Sequence, residues 1–329
     1  MKKRILQKNM CCMAPGMRGL SMVELMVAMT IGLILTASIG YVYLGSRQTF
    51  RSMDDFSRIQ ENYRYAMDQI GMDVRQAGYS GCVNVSSIDP ANPANIPLKP
   101  VATHPLGQAL RGYTSNVGWA ASPNYVAGTD VLQVTAAMGQ GVNLSKEMDD
   151  VGDPIEINGN PAGIDAGDTL LIVTANCTFA EVFTADEVDA TPSIKHVAPL
   201  SDKFTEAAEI YPLVDTFYYI GTNPAGNRSL YRIQNGAAAE ELVENVEDME
   251  LRFGVDTNND FAIDAYVAAG GVANWRQVLS ARVNLVFLSN NNVATGAQPY
   301  VVEGVNTIPA DTRLRQVATA TYGLRNRLP

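Results

Sequence analysis

A chain of 329 residues is long enough for one large domain or two small ones. Its 34 acids against 24 Lys and Arg give a net charge of −10, which argues against nucleic-acid binding as its main task. It has two histidines, His104 and His196, and no G-x-S-x-G, H-E-x-x-H or Walker loop, so no motif for catalysis stands out.

The first nineteen residues carry Lys2, Lys3, Arg4, Lys8 and Arg18 and no acid, which places them on the cytoplasmic face of a membrane. Beyond them, Leu25 to Leu44 holds no charged residue. Glu24 stands alone at the mouth of this apolar run. An ionised carboxylate costs roughly 2.5–3.5 kcal/mol near the bilayer centre and less near the interface, so a partner is expected. A cut after Gly19 would create one, the α-amino group of Leu20, and would leave Glu24 fifth.

Arg18-Gly19-Leu20-Ser21-Met22-Val23-Glu24-Leu25-Met26 resembles the processing site of type IV prepilins. The resemblance implies cleavage between Gly19 and Leu20 by a prepilin peptidase, N-methylation of Leu20, and pairing of Glu24 with the Leu20 amino group of its own or a neighbouring chain. Pairing removes two desolvation penalties and sets axial register. Leu20 stands where the family more often has Phe. Tyr41 replaces the common mid-helix Pro, so local melting would fall to Gly32 or Gly40. The competing readings are a signal peptide or plain anchor, for which Ser38-Ile39-Gly40 is a poor exit, and an interfacial Glu that snorkels.

Residues 20–78 read as one helix. Its first part, 20–44, spans roughly 37 Å, enough to cross a bilayer. The rest turns amphipathic, with Phe50, Met53, Phe56, Ile59, Tyr63, Met67, Ile70, Val74 and Ala77 at three- and four-residue spacing and Gly78 as a stop. Residues 79–329 form the head. Pro90, Pro93, Pro97, Pro100 and Pro105 predict an irregular surface stretch over 83–128 with one short strand. Strands follow at 130–135, 168–174, 214–220, 229–233, 249–255 and 279–288, with a last one over 314–324. In the 279–288 run, Leu279, Ala281, Val283, Leu285 and Phe287 alternate with Ser280, Arg282 and Asn284, the pattern of a sheet with one face on a core. Asn223 to Asn227 reads as a hairpin loop, and Glu240, Glu241, Glu244, Glu247 and Asp248 as a solvated face. A composition shift near 200–212 allows a subdivision of the head.

Residues 215–220, 229–232, 241–249 and 252–256, with Trp275, 314–317 and 324–327, resemble the PilW group of minor pilins. The match covers roughly 211–329, whereas 83–210 resembles nothing recognised. The implied fold is α+β: a long N-terminal α-helix, membrane-spanning in its first half, carrying a mostly antiparallel β globular head as in pilins. Of the four cysteines, Cys11 and Cys12 would leave with the leader, and Cys82 with Cys177 predicts one disulfide in an oxidising periplasm, against two buried thiols. Removing five leader cations from 24 leaves 19 against 34 acids, a mature charge of −15.

Asp256, Asn258, Asp260 and Asp264 place oxygen ligands like the first nine positions of a calcium loop, but Phe261 takes the place of the turn Gly and Val267 that of the bidentate Glu. An Asn/Asp-rich turn is the other reading, and no other cofactor is expected. The function expected is that of a minor pilin in type IV pilus assembly and initiation, without catalysis. Its partners would be the prepilin peptidase, other minor pilins, the major pilin and a tip adhesin. It would reside in the inner membrane with a periplasmic head, then in the pilus fibre at the cell surface. A type II secretion pseudopilin, an adhesin-like tip subunit and an anchored periplasmic enzyme are the rivals.

Overall fold

The computed structural model describes residues 19–83, 98–99, 108–114, 119, 122–189 and 192–327. The basic leader, His104 and the five prolines named above lie outside them. The chain forms two units, one ending at Met53 and one running from Asp54.

The expected helix is present as Met22–Gln76, 55 residues long. Ser21 opens it: its Oγ accepts from the Glu24 amide at 3.3 Å and its carbonyl from the Leu25 amide at 3.1 Å. In the first unit every residue from Gly19 to Arg51 is exposed, including Leu33 at 71% and Tyr41 at 82%. The hydroxyls of Thr30, Thr36, Ser38 and Thr49 donate to carbonyls three or four residues back, so these four groups are satisfied within the helix itself. At its far end Gly78 adopts the left-handed φ of 74° expected of a stop, and the Asn326 amide caps the Gln76 and Ala77 carbonyls.

The second unit joins the rest of this helix to a mostly antiparallel β head. A four-stranded sheet runs in the order Ala265–Val267, Val246–Val255, Val278–Leu288, Arg315–Gly323, antiparallel throughout. A larger sheet is organised around the fourteen-residue strand Glu209–Thr222, which pairs with Val131–Ala137, Val142–Asn143, Thr169–Val173 and Arg228–Gln234. Leu98–Lys99 adds a parallel pairing to Ala180–Val188. The predicted Asn223–Asn227 loop is a hairpin turn in which the Asn223 side chain accepts from the Ala225 and Asn227 amides.

The long strand threads several cores. Ile210 packs with Leu144, Ile155, Leu170, Phe183, Ile194 and Phe204 in one cluster. Tyr218 and Ile220 pack in another with helix residues Ile59, Ala66, Met67, Ile70 and Val74 and with Leu251, Phe253, Val283 and Phe287 of the smaller sheet. The composition shift near 200–212 falls where the chain enters this strand.

Two expectations need correction. Val278–Leu288 is buried on both faces, not one: Ser280 and Asn284 are only 3% exposed. Asn284 is covered by the hairpin Tyr300–Val302 with Val305–Thr307, which lays Glu303 against it at 2.9 Å and beside Arg252 and Arg282, and Ser280 lies against the Tyr266 hydroxyl at 3.2 Å. The apolar stripe of the helix is also buried only from Ile59 onward, while Phe50, Met53 and Phe56 remain 77%, 67% and 48% exposed. Phe56 stands three residues before Ile59, a turn of about 60° around the helix, which puts it at the margin of the docked face. Asp55, at 4% exposure, sits on that face beside the Asn291 amide.

A glycine sets how closely the helix meets the sheet. A Cβ on Gly71 would fall 2.5 Å from the ring of Tyr322, whose hydroxyl donates to the Met67 carbonyl at 2.7 Å. Inside a helix Gly→Ala ordinarily stabilises by about 1 kcal/mol. Here the sign reverses: Gly71→Ala is expected to destabilise by about 1–3 kcal/mol through overpacking. Combining it with Tyr322→Leu should cost less than the sum of the single changes, measured by denaturant unfolding.

Candidate assembly site

Gly19, Leu20 and Glu24 occupy the exposed start of the chain's first unit, with Glu24 in the first helical turn. Ser21 and Glu24 have the spacing of a capping box, a local role that the sequence reading overlooked although Ser-x-x-Glu is its plain signature. The acid also complements the positive end of the helix dipole. From Leu20 to Ser46 it is the sole charge. The helix is long and apolar enough to cross a membrane by length and composition.

Further along, polar contacts fix the helix to the head. The Tyr218 hydroxyl donates to Asp73 at 2.6 Å. Burial pushes the Asp73 carboxyl up, an effect the Tyr218 hydrogen bond partly offsets. Burial and the neighbouring carboxylate push the Tyr218 hydroxyl up as well, so it stays a donor. Asn62 reaches the Glu244 carbonyl, and the Arg75 guanidinium lies 5.2 Å over the Tyr322 ring. Tyr63 meets Phe287 edge-on at 6.3 Å. Sequence periodicity marked Tyr63 but carried no signal for Asp73–Tyr218, whose partners lie 145 residues apart.

Cys82 and Cys177 form the expected disulfide, with Cα atoms 5.3 Å apart. Cys82 lies just past the helix, and Cys177 sits in the turn that joins Thr169–Val173 to Ala180–Val188. The aromatic residues in or beside the strands serve packing: Tyr218, Tyr219 and Phe253 are fully buried, Tyr231 is 6% exposed, and Trp275 meets Phe253 edge-on at 4.9 Å. His196 sits half-buried in the strand Ser193–His196 with its ring nitrogens against the Ala198 and Asp153 carbonyls.

The Asp256–Asp264 stretch is a loop tied to itself. The Asp256 carboxylate accepts the amides of Asn258, Asn259, Asp260 and Phe261, and Asn258 and Asp260 accept amides two residues on. Asp264 is held by the Thr257 amide and hydroxyl, which draw its carboxyl below the usual range. Among the described residues no group of three or more His, Cys, Asp or Glu is arranged to hold a metal ion. Phe261, the residue in the place of the turn Gly, has φ 65°, the region that favours glycine. Its side chain is 48% exposed. Phe261→Gly is therefore expected to be neutral or to stabilise by up to about 1 kcal/mol, the reverse of a usual Phe→Gly change. A clear loss in thermal unfolding would contradict this.

Asp130 is buried at 7% exposure and accepts the Leu251 amide at 2.8 Å, joining Val131–Ala137 to the smaller sheet. Burial first, and then Glu250 and Asp248, push its carboxyl up from 3.8 to about 6. Asp248 and Glu250 are also raised, each mainly by burial. A folded-state pKa above the unfolded one means that the native state binds the extra proton. Stability therefore falls as pH rises from about 4 through about 6. Asp311 runs the other way, held down to about 2 by Arg315, so stability falls again in strong acid. Asp130→Asn keeps an acceptor for Leu251, and is expected to gain up to about 3 kcal/mol at pH 8 and flatten the pH slope between 4 and 7. Urea melts of both chains across that range test it.

Residues 217–326 match the PilW family model, described as type IV pilus-assembly protein W. No curated protein matches the chain. The matched region runs from within Glu209–Thr222 through the smaller sheet to Asn326, and so includes the surfaces that receive the helix. The cluster built on Leu144, Ile155, Leu170 and Phe204 lies outside it. This match over residues 217–326 supports a PilW-family protein of type IV pilus assembly.

Proposed function

We propose that this protein is a minor pilin, cut between Gly19 and Leu20 by a prepilin peptidase, methylated on Leu20, and packed by its N-terminal helix among the helices of other pilins. The observation that carries the reading is the exposed stretch from Gly19 to Arg51, apolar from Leu25 to Leu44 with one acid at its mouth. A helix surface of this kind needs a lipid or a protein cover. The family match supports the assembly setting. Before assembly the helix anchors the chain in the inner membrane with the head in the periplasm. Afterwards the chain resides in the fibre, in contact with other minor pilins, the major pilin or a tip adhesin.

A head of this size suits an end of the fibre, since bulky heads stack poorly along a thin shaft; immunogold labelling along shafts would count against that position. Mass spectrometry of the mature N-terminus tests the processing step. It should find N-methyl-Leu20, and an intact Met1 or a start at Tyr41 would end this reading.

A further inference from the structure

Many positive charges of the head already have acidic partners: Arg58, Arg232, Arg252, Arg282 and Arg315 each form an ion pair. Arg75 and Arg325 form none with a described residue, although the chain carries ten more acids than bases. Both line one cavity of about 330 Å³ with Met72, Gln76, Tyr79 and Asn326. The last turn of the helix supplies one wall, and the short turn Arg325–Arg327 supplies the other. Asn326 clamps the two walls through the Gln76 and Ala77 carbonyls, so the cavity is held open by backbone capping. Tyr322 stacks under the Arg75 guanidinium and fixes its position. Met72 and Tyr79 add apolar wall, at 54% and 38% exposure.

Two exposed guanidiniums beside Met and Tyr give the composition of a protein interface with a positive centre. Guanidinium forks match carboxylates in a bidentate way. We propose that this cavity receives an acidic peptide segment of another protein, with a carboxylate held between Arg75 and Arg325 and an apolar side chain against Met72 and Tyr79. Copies of this chain, each at −10, repel one another, so the occupant is a different protein. That it is a pilus component rests on the assembly reading; the binding chemistry does not.

The test uses the full chain in detergent and a short fluorescein-labelled peptide of alternating glutamate and leucine, read by fluorescence anisotropy. Micromolar binding is expected, weakened about tenfold or more by Arg325→Glu and further by Arg75→Glu with Arg325→Glu. Arg325→Lys should fall between, since it keeps the charge and loses the fork. Arg325 makes no hydrogen bond or ion pair with a described residue, so its single variant should keep the native melting temperature even where the Arg75 change loosens Tyr322. No binding at millimolar peptide, equal binding by Arg325→Glu, or equal binding of a lysine–leucine peptide would each overturn the proposal. An uncut N-terminus alongside intact peptide binding would sink the assembly reading alone.

Discussion

Replacing Cys82 and Cys177 together by Ser is expected to cost about 4–5 kcal/mol of stability, on the chain-entropy account of a bridge between residues 95 apart. In a head of this size that corresponds to a fall in melting temperature of roughly 10 °C or more. The bridge is placed where closure matters. It ties the helix exit to the Thr169–Val173/Ala180–Val188 hairpin, beside a small cluster of Val83, Leu98, Ala137, Leu171, Val173 and Leu213. That cluster is far smaller than the one under the helix. Cys177 itself has φ 58°, a conformation that L side chains disfavour, and is held there by the cross-link and by the hydrogen bond its amide donates to the Thr174 carbonyl. Reducing agent should reproduce the loss in the native chain and leave the double variant unchanged. A loss below about 1 kcal/mol would mean that the unbridged chain is already ordered between the two cysteines.

The parts legible in the sequence are those whose cause is local. Twenty uncharged residues after Glu24 make a helix of membrane length whatever follows, and Gly78 stops it through its own backbone freedom. Cys82 and Cys177 are the two cysteines left once the leader is set aside, so their pairing followed from compartment alone. The strands read at 130–135, 214–220, 249–255 and 279–288 announced themselves by β-branched and aromatic runs, though Glu209–Thr222 begins five residues before its expected start. Ala180–Val188 did not, because Glu181, Asp186 and Glu187 break its apolar character; Glu181 is nevertheless buried, its carboxylate taken up by the Ser201 amide and hydroxyl. Of the acids read as a solvated face, Glu240, Glu241 and Glu244 are exposed, whereas Glu247 pairs with the buried side chain of Arg315 and Asp248 is half-buried; the strand Glu240–Glu244 was not read at all. It lies at a sheet edge, where charges guard against stray pairing. What sets the docked face of the helix was not legible at all: Gly71 beneath Tyr322 and Asp73 beside Tyr218 depend on residues 251 and 145 positions away, beyond any local periodicity.

Glu24→Gln should reduce incorporation of this subunit into filaments by about a hundredfold or more. The ammonium that cleavage would leave on Leu20 becomes an uncompensated charge once the carboxylate is gone, and breaking a buried pair costs about 3–5 kcal/mol. The substitution separates this role from the local one. Gln at the third helical position still serves a capping box with Ser21, so the start of the helix is preserved. Loss of the acid's interaction with the helix dipole accounts for only about 0.3–1 kcal/mol, a few-fold at most. The readout is the ratio of this subunit to the major pilin in sheared filaments, with its membrane level and mature mass checked beside it. An unchanged mature mass shows that cleavage survives, so a lower ratio then reports packing. A fall of only a few-fold would leave Glu24 as a first-turn acid that serves its own helix, and the charge pairing between subunits would have to be abandoned.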